Sequence, residues 1–298
     1  MHILKGYTKQ EISWMMYDWA NSAHSVIIVT LLPIFFDTVA GYTADSVSSM
    51  STWGYATSIA MLIVALAAPF LGVFGDIRGM RKKLFSFFML LGVAACAGMA
   101  FTPGMDFTSG PVAAGKVATL ILVLYIVSVI GFDASAIYYD AFLTDVTTED
   151  RMDKVSTMGY GLGYIGGSTI PLLIFLIMNL VGVPMLTCLA FVFGLTAVWW
   201  LAFSLPLLKN CEQTSGKPYE KGDVARSIKG VGTTIKEIIA NKPMLIYILS
   251  YFFYIDGVHT VISMATTYGT NLGLDSTGMM LALLLVQILG LPFCLLYI

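Results

Sequence analysis

Read for apolar and polar positions alone, the chain is a succession of eight long apolar blocks. They lie at residues 13–38, 52–74, 84–101, 117–141, 157–181, 184–207, 243–268 and 277–297, and short stretches of Gly, Pro, Asp and Ser punctuate them. A helix needs roughly 20 residues to cross hydrocarbon, and each block approaches or exceeds that length. None shows the residue-by-residue alternation of a membrane barrel strand, so the pattern predicts helices. The fold class expected is an all-α polytopic membrane protein. Six spans over residues 1–207 precede a polar linker at 208–242, and two more spans fill 243–298. Within the linker, Val224, Ile228, Val231, Ile235 and Ile238 recur at helical spacing, with Arg226, Lys229 and Lys236 off that line. This predicts a short amphipathic helix lying on the membrane face. Two glycines in the stretch keep a plain solvated linker open as the alternative.

Composition agrees: 57% of residues are hydrophobic and 11% charged, against about 25% charged in a soluble domain. The net charge of −2 matters less than where the charges sit. Of the sixteen Lys and Arg, fifteen fall in the segments that alternation of the helices places on one side, and only Lys116 falls on the other. By the positive-inside rule, the N-terminus and the long linker are cytoplasmic. Single cysteines at Ser215 and Ser46 of a cysteine-free protein should label from outside the cell at 46 only; the reverse pattern overturns the orientation. No nucleic-acid patch stands out. Asp18 interrupts the first block, so it is no cleavable signal. Cys96, Cys188, Cys211 and Cys294 show neither metal nor disulfide spacing and read as small core residues.

The candidate chemistry is where polar groups enter hydrocarbon. "YDWANSAHSV", residues 17–26, places Asp18, Asn21 and His24 within the first span, and Asp37, Asp133, Asp140 and Asp256 lie in or at the ends of others. A charge at mid-bilayer costs at least ~2.5 kcal/mol, so such groups usually face a cavity and mark a pathway. No Lys or Arg sits within a span to neutralise them. Their expected partners are each other, a proton, His24, His259 or a cationic group of a solute. Asp37 reads as a solvated end, and Asp140 as either a site residue or a partner of Arg151 or Lys154. Asp133 and Asp140, seven apart, share a helical face, as do Asp18, Asn21 and Ser25, with His24 close by. Hydrogen bonds that merely glue helices together are the alternative, strongest for Asn21.

Two signals point to a family. "ANSAHSVI" (20–27) aligns without a gap on "IDGVHTVI" (255–262), pairing Asn21 with Asp256 and His24 with His259. Spans one and seven thus read as equivalents in a parallel six-span repeat. "GVFGDIRGMRKK" (72–83) resembles the loop signature of the major facilitator superfamily, with Gly72, Asp76 and Gly79 in register and Arg81 or Lys82 supplying the terminal cations; Asp76 is placed to cap the third span. "YDWANSA", "YYDAFLTDV" (138–146), "GLGYIGG" (161–167) and "YFFYIDGVHTVI" (251–262) together resemble the vacuole-effluxer family, the autophagy-related amino-acid exporter of fungal vacuoles and its bacterial relatives. That family usually carries an aromatic at the position of His24 and Asn at that of Asp140.

The resemblance implies a major-facilitator fold, with the six-helix first half followed by two helices of a second half and four further helices missing. It also implies a secondary transporter of a small polar solute, with amino acids the named class, working by alternating access in a bacterial plasma membrane. Asp18, Asn21, His24, Asp133, Asp140, Asp256 and His259 are the expected substrate and proton-coupling groups. Trp19, Tyr139 and Tyr254 are the expected aromatic walls, and Gly72, Asp76, Gly79 and Arg81 the gating loop. No cofactor, nucleotide or metal is expected. Gly161, Gly163 and Gly166 fit G-x-G-x-x-G but lie in an apolar helix, where the ladder Gly159–Gly163–Gly167 reads as close helix packing. An intramembrane enzyme would need a nucleophile–base pair or a metal set such as H-E-x-x-H, and the sequence holds neither. A non-transporting fragment or a partner-dependent half is the other alternative.

Overall fold

The computed structural model describes residues 4–43, 49–218 and 223–297, without the side chains of 223–228, 276 and 297. Among the described residues there are ten α-helices and no strand. They are α1 (Lys9–Ala40), α2 (Ser49–Gly75), α3 (Arg81–Met99), α4 (Pro111–Val146), α5 (Met152–Gly163), α6 (Ile170–Leu180), α7 (Met185–Asn210), α8 (Asp223–Ala240), α9 (Lys242–Asn271) and α10 (Ser276–Tyr297). A single π turn, Tyr164–Thr169, joins α5 to α6, so these two make one membrane crossing. Eight crossings result, one for each apolar block of the sequence, and α8 is the amphipathic helix of the linker. The protein is an all-α multi-pass membrane protein.

Local chemistry sets the helix ends. Thr8 caps α1 in a reciprocal box with Glu11, whose carboxylate accepts from the Thr8 amide at 2.7 Å. Glu11 is also buried against Arg151 (Oε1 to Nε 2.8 Å, Oε2 to Nη2 2.9 Å) and Thr147 (2.6 Å), which ties the start of α1 to the α4–α5 turn. Four of the reversals between crossings carry a glycine at positive φ: Gly79, Gly110, Gly182 and Gly273. The end of the bundle that bears the N-terminus is called here the N face, and the opposite end the far face.

Helix α1 is central. It is the most buried crossing and packs on α7, α5, α4 and the π turn. Helices α3 and α4 form the broadest pair, closing to backbone contact where Gly131 meets Gly92. Trp200 of α7 fills the space beside Gly92. The glycines of α5 and the π turn do what the ladder predicted: Gly159 abuts Asp18, Gly163 abuts Ser22 and the Asp18 backbone, and Gly167 abuts Trp19 and Ala23, all on α1. Gly161 points the other way, onto Leu291 and Cys294 of α10, while Gly290 of α10 lies against Tyr164.

Helix α9 behaves differently. Its buried residues, Ser263, Thr266, Thr267 and Gly269, belong to its last turns, and its first half is exposed. It therefore meets α1 and α2 near the far face and stands away from them toward the N face.

Candidate functional site

The polar groups predicted from sequence sort into four places. The first lies between α1, α4 and α5, toward the N face. Asp18 is buried, and one carboxylate oxygen accepts from the Tyr139 hydroxyl at 2.8 Å. Tyr139 is fixed from behind by Trp14, whose ring stacks on it at 4.3 Å and whose indole N–H donates to its carbonyl at 2.8 Å. Gly159 leaves room for the carboxylate, since a side chain there would collide with it. Asp140, the next residue on α4, is exposed and within electrostatic reach of Asp18. Tyr160 of α5 lies within the same electrostatic reach of Asp18 and Asp140, and also of Tyr251 on α9. Tyr160 and Tyr251 were not singled out by the sequence, because a tyrosine in a membrane helix looks like any other large side chain.

The second place is the core. His24 is buried, stacked on Phe132 at 4.7 Å and tilted against Trp200 at 5.2 Å. Its Nε2 lies 3.2 Å from the Ser128 hydroxyl, which itself donates to the Tyr125 carbonyl at 2.8 Å. With the serine proton so used, Nε2–H is the donor and Nδ1, which has no partner, stays unprotonated. Sequence had set His24 beside Asp18, but six residues at about 100° each turn it some 120° away from that face. Beside it Tyr17 shares a hydrogen bond with Ser135 (2.8 Å) and accepts from Trp200 (3.3 Å). Asn21 is buried and Asp133 half-buried. Trp19 packs on Trp199, Phe203 and Gly166, between α1, α7 and the π turn.

The third place is the exposed half of α9. Asp256, His259 and Tyr254 all lie there, uncovered, on the stretch that stands away from α1. The structure does not bring them to Asp18. Nor does Asp140 pair with Arg151 or Lys154: Arg151 is taken by Glu11, and among the described residues no ion pair reaches Asp140.

The fourth place is the α2–α3 loop. Asp76 does not cap α3, contrary to expectation: it is 81% exposed and 3.9 Å from Arg81, and Met80 at the cap position makes no side-chain bond. The amides of Gly79 and Arg81 are instead captured by the Gln213 carbonyl oxygen at 2.8 and 3.3 Å, and the Gln213 amide donates to the Gly75 carbonyl at 2.9 Å. Buried Arg81 pairs with Asp145 at the end of α4 and donates to the Ala141 carbonyl at 2.9 Å. Asp145 also accepts from Thr214 and Ser215 amides at 3.0 and 2.8 Å. Lys217 exchanges backbone bonds with Asp76 and Arg78. Residues 213–217 thus form a strap under the signature loop. Gln213 and Asp145 had no local signal in the sequence, being separated from the loop by some 60 to 130 positions.

The arrangement is that of a helix bundle holding uncompensated carboxylates along α1, α4 and α9, with a pinned loop at the N face. Residues 41–293 match the family described as vacuole effluxer Atg22 like. The chain belongs to that family. It is 39% identical, over 99% of its length, to an uncharacterized MFS-type transporter, YxiO, of Bacillus subtilis, of which the match covers 68%. It is 26% identical to autophagy-related protein 22-1 of Penicillium rubens and of Aspergillus niger, over 46% of this chain and about a quarter of those proteins. The vacuole-effluxer resemblance seen in the first, fourth, fifth and seventh spans is therefore one of descent, and the architecture is that of a major-facilitator transporter family.

Proposed function

We propose that this vacuole-effluxer relative works as a secondary transporter that moves a small polar solute by alternating access, driven by protons, in a bacterial plasma membrane with the N face cytoplasmic. The observation that carries the reading is the one-ended contact of α9. Near the far face Asp37, Ser49 and Trp53 close against Thr267, Thr270 and Asn271, while toward the N face Asp140 of α4 and Asp256 of α9 stay uncovered. A transporter open to one side has this form.

In this reading Asp18, Asp140 and Asp256, with Asp133 and His259, carry protons or hold the amine of a solute. No Lys or Arg in the described spans competes for them beyond those at the helix ends. His24 is assigned to packing, because protonating Nδ1 would leave a buried N–H without an acceptor. The exposed faces of α9 and α10 suit a further set of helices completing the path, and the Bacillus relative is longer than the matched region. Amino acids are the first solutes to test.

Cysteines at Ser49 and Asn271, joined by a short cleavable thiol crosslinker, should hold the far face shut. Solute flux into proteoliposomes is expected to fall to background and to return when the linker is cleaved. Full flux through completely crosslinked protein would rule out opening at this end.

A further inference from the structure

We propose that α8 is an anionic-lipid docking helix, lying in the headgroup region of the leaflet on the N face. Its own pattern makes the first part of the case. Val231, Ile235, Ile238 and Ile239 fall within an arc of about 100° at 100° per residue, Lys229 and Lys236 stack on one flank of that arc, and Glu237 lies opposite. Ile235 and Ile239 are 51% and 59% exposed while Val231 and Ile238 are half-buried and α8 touches α2, so the protein covers the stripe only in part and leaves the Ile235–Ile239 side open.

The fold supplies the second part, by fixing where the helix must lie. At its end a single residue, Asn241, separates α8 from α9. The Asn241 amide closes α8 on the Glu237 and Ile238 carbonyls, while its side chain caps α9 through the Met244 amide at 3.3 Å. Helix α9 is a membrane crossing whose first apolar residues, Met244 and Ile246, are exposed to lipid, so Lys242 marks the boundary and Ile238 and Ile239 sit at it. At the other end the strap binds Lys217 to the α2–α3 loop, which is at the same boundary. A helix about 27 Å long, pinned this way at one end and tethered by a few residues at the other, runs along the bilayer surface rather than into the water.

Charge decides which surface. Lys229 and Lys236 on α8, Lys242 at the start of α9, Lys217 on the strap and Lys209 at the end of α7 are all exposed, on the same N-face side of the bundle. An apolar stripe at acyl depth with cations on its shoulder fits anionic headgroups. The inference does not depend on the transport reading, since it concerns only how the linker sits.

The test uses the whole chain with only Cys294 replaced, because Cys96, Cys188 and Cys211 are buried, burial pushes the Cys211 thiol up to about 12, and none of the three competes for a thiol label. A polarity-sensitive fluorophore is attached at Ile235→Cys or, on the opposite face, at Glu237→Cys, and the protein is reconstituted in phosphatidylcholine vesicles with or without phosphatidylglycerol. With the anionic lipid, the probe at 235 should be quenched by brominated acyl chains and shielded from iodide, and that at 237 the reverse. Replacing Lys229 and Lys236 by Gln should lower the docked-to-undocked ratio about fivefold per lysine. Three outcomes would overturn the proposal: equal iodide access at both positions, shielding at 235 from both quenchers (a protein surface covering the stripe), or docking indifferent to the anionic fraction.

Discussion

The Asp18→Asn protein is expected to insert and fold like the parent and to lose gradient-driven transport. Asparagine keeps the size of the side chain and the oxygen that accepts from the Tyr139 hydroxyl at 2.8 Å, so the packing of α1 on α4 and α5 survives. What it removes is a carboxylate with no cation beside it among the described residues, a group that hydrocarbon tolerates only at a cost. If Asp18 merely glued helices, the amide would serve as well and flux would be unchanged. If it trades protons or holds an amine, flux of an amino-acid mixture under an imposed proton gradient should fall to background, while thermal stability in detergent stays within about 1 kcal/mol of the parent. Asp256→Asn, on the exposed half of α9, should give the same separation of folding from flux. Undiminished, pH-dependent transport by both variants would remove the acids from the mechanism.

The largest expected loss of stability is at Gly131→Val. A β-carbon there would meet the backbone of Gly92 on α3 and, at 2.8 Å, the Phe88 carbonyl, and neither can swing aside as a flexible side chain would. The two helices must separate along the broadest interface of the bundle, loosening Phe85 on Phe142 and Phe88 on Tyr138. Overpacking of this kind costs about 3 kcal/mol and lowers the unfolding midpoint accordingly. Gly115→Val on the same helix is the control: nothing lies within 4 Å of its added β-carbon, so only the modest helix-propensity change remains. Equal midpoints for the two variants would show that α3 and α4 do not meet as described.

Much of this was legible from sequence, and for identifiable reasons. A crossing must satisfy its backbone internally and cover some 30 Å of hydrocarbon, so apolar block length alone gave all eight spans, with ends that extended by a few residues into polar caps such as Thr8. Periodicity over Val224–Ile238 found α8, and four-residue spacing found the glycine face of α5 and the π turn. The π turn at Tyr164–Thr169 was not legible; it lets the chain keep Gly166 and Gly167 both against α1, a demand set by the neighbour and not by the segment.

For the polar groups the division is sharper. Sequence determined which residues are costly in a membrane, because that depends on side-chain chemistry alone: Asp18, His24, Asp133, Asp140 and Asp256. Only the tertiary structure decided what each of them meets. It set Asp18 under Tyr139, sank His24 between Phe132 and Trp200, left Asp140 and Asp256 uncovered, and gave the cap of α3 to Gln213 and the counter-charge of Arg81 to Asp145. Those partners lie some 60 to 130 positions apart along the chain, and a helix face selects among them by angle and depth, which no local pattern encodes.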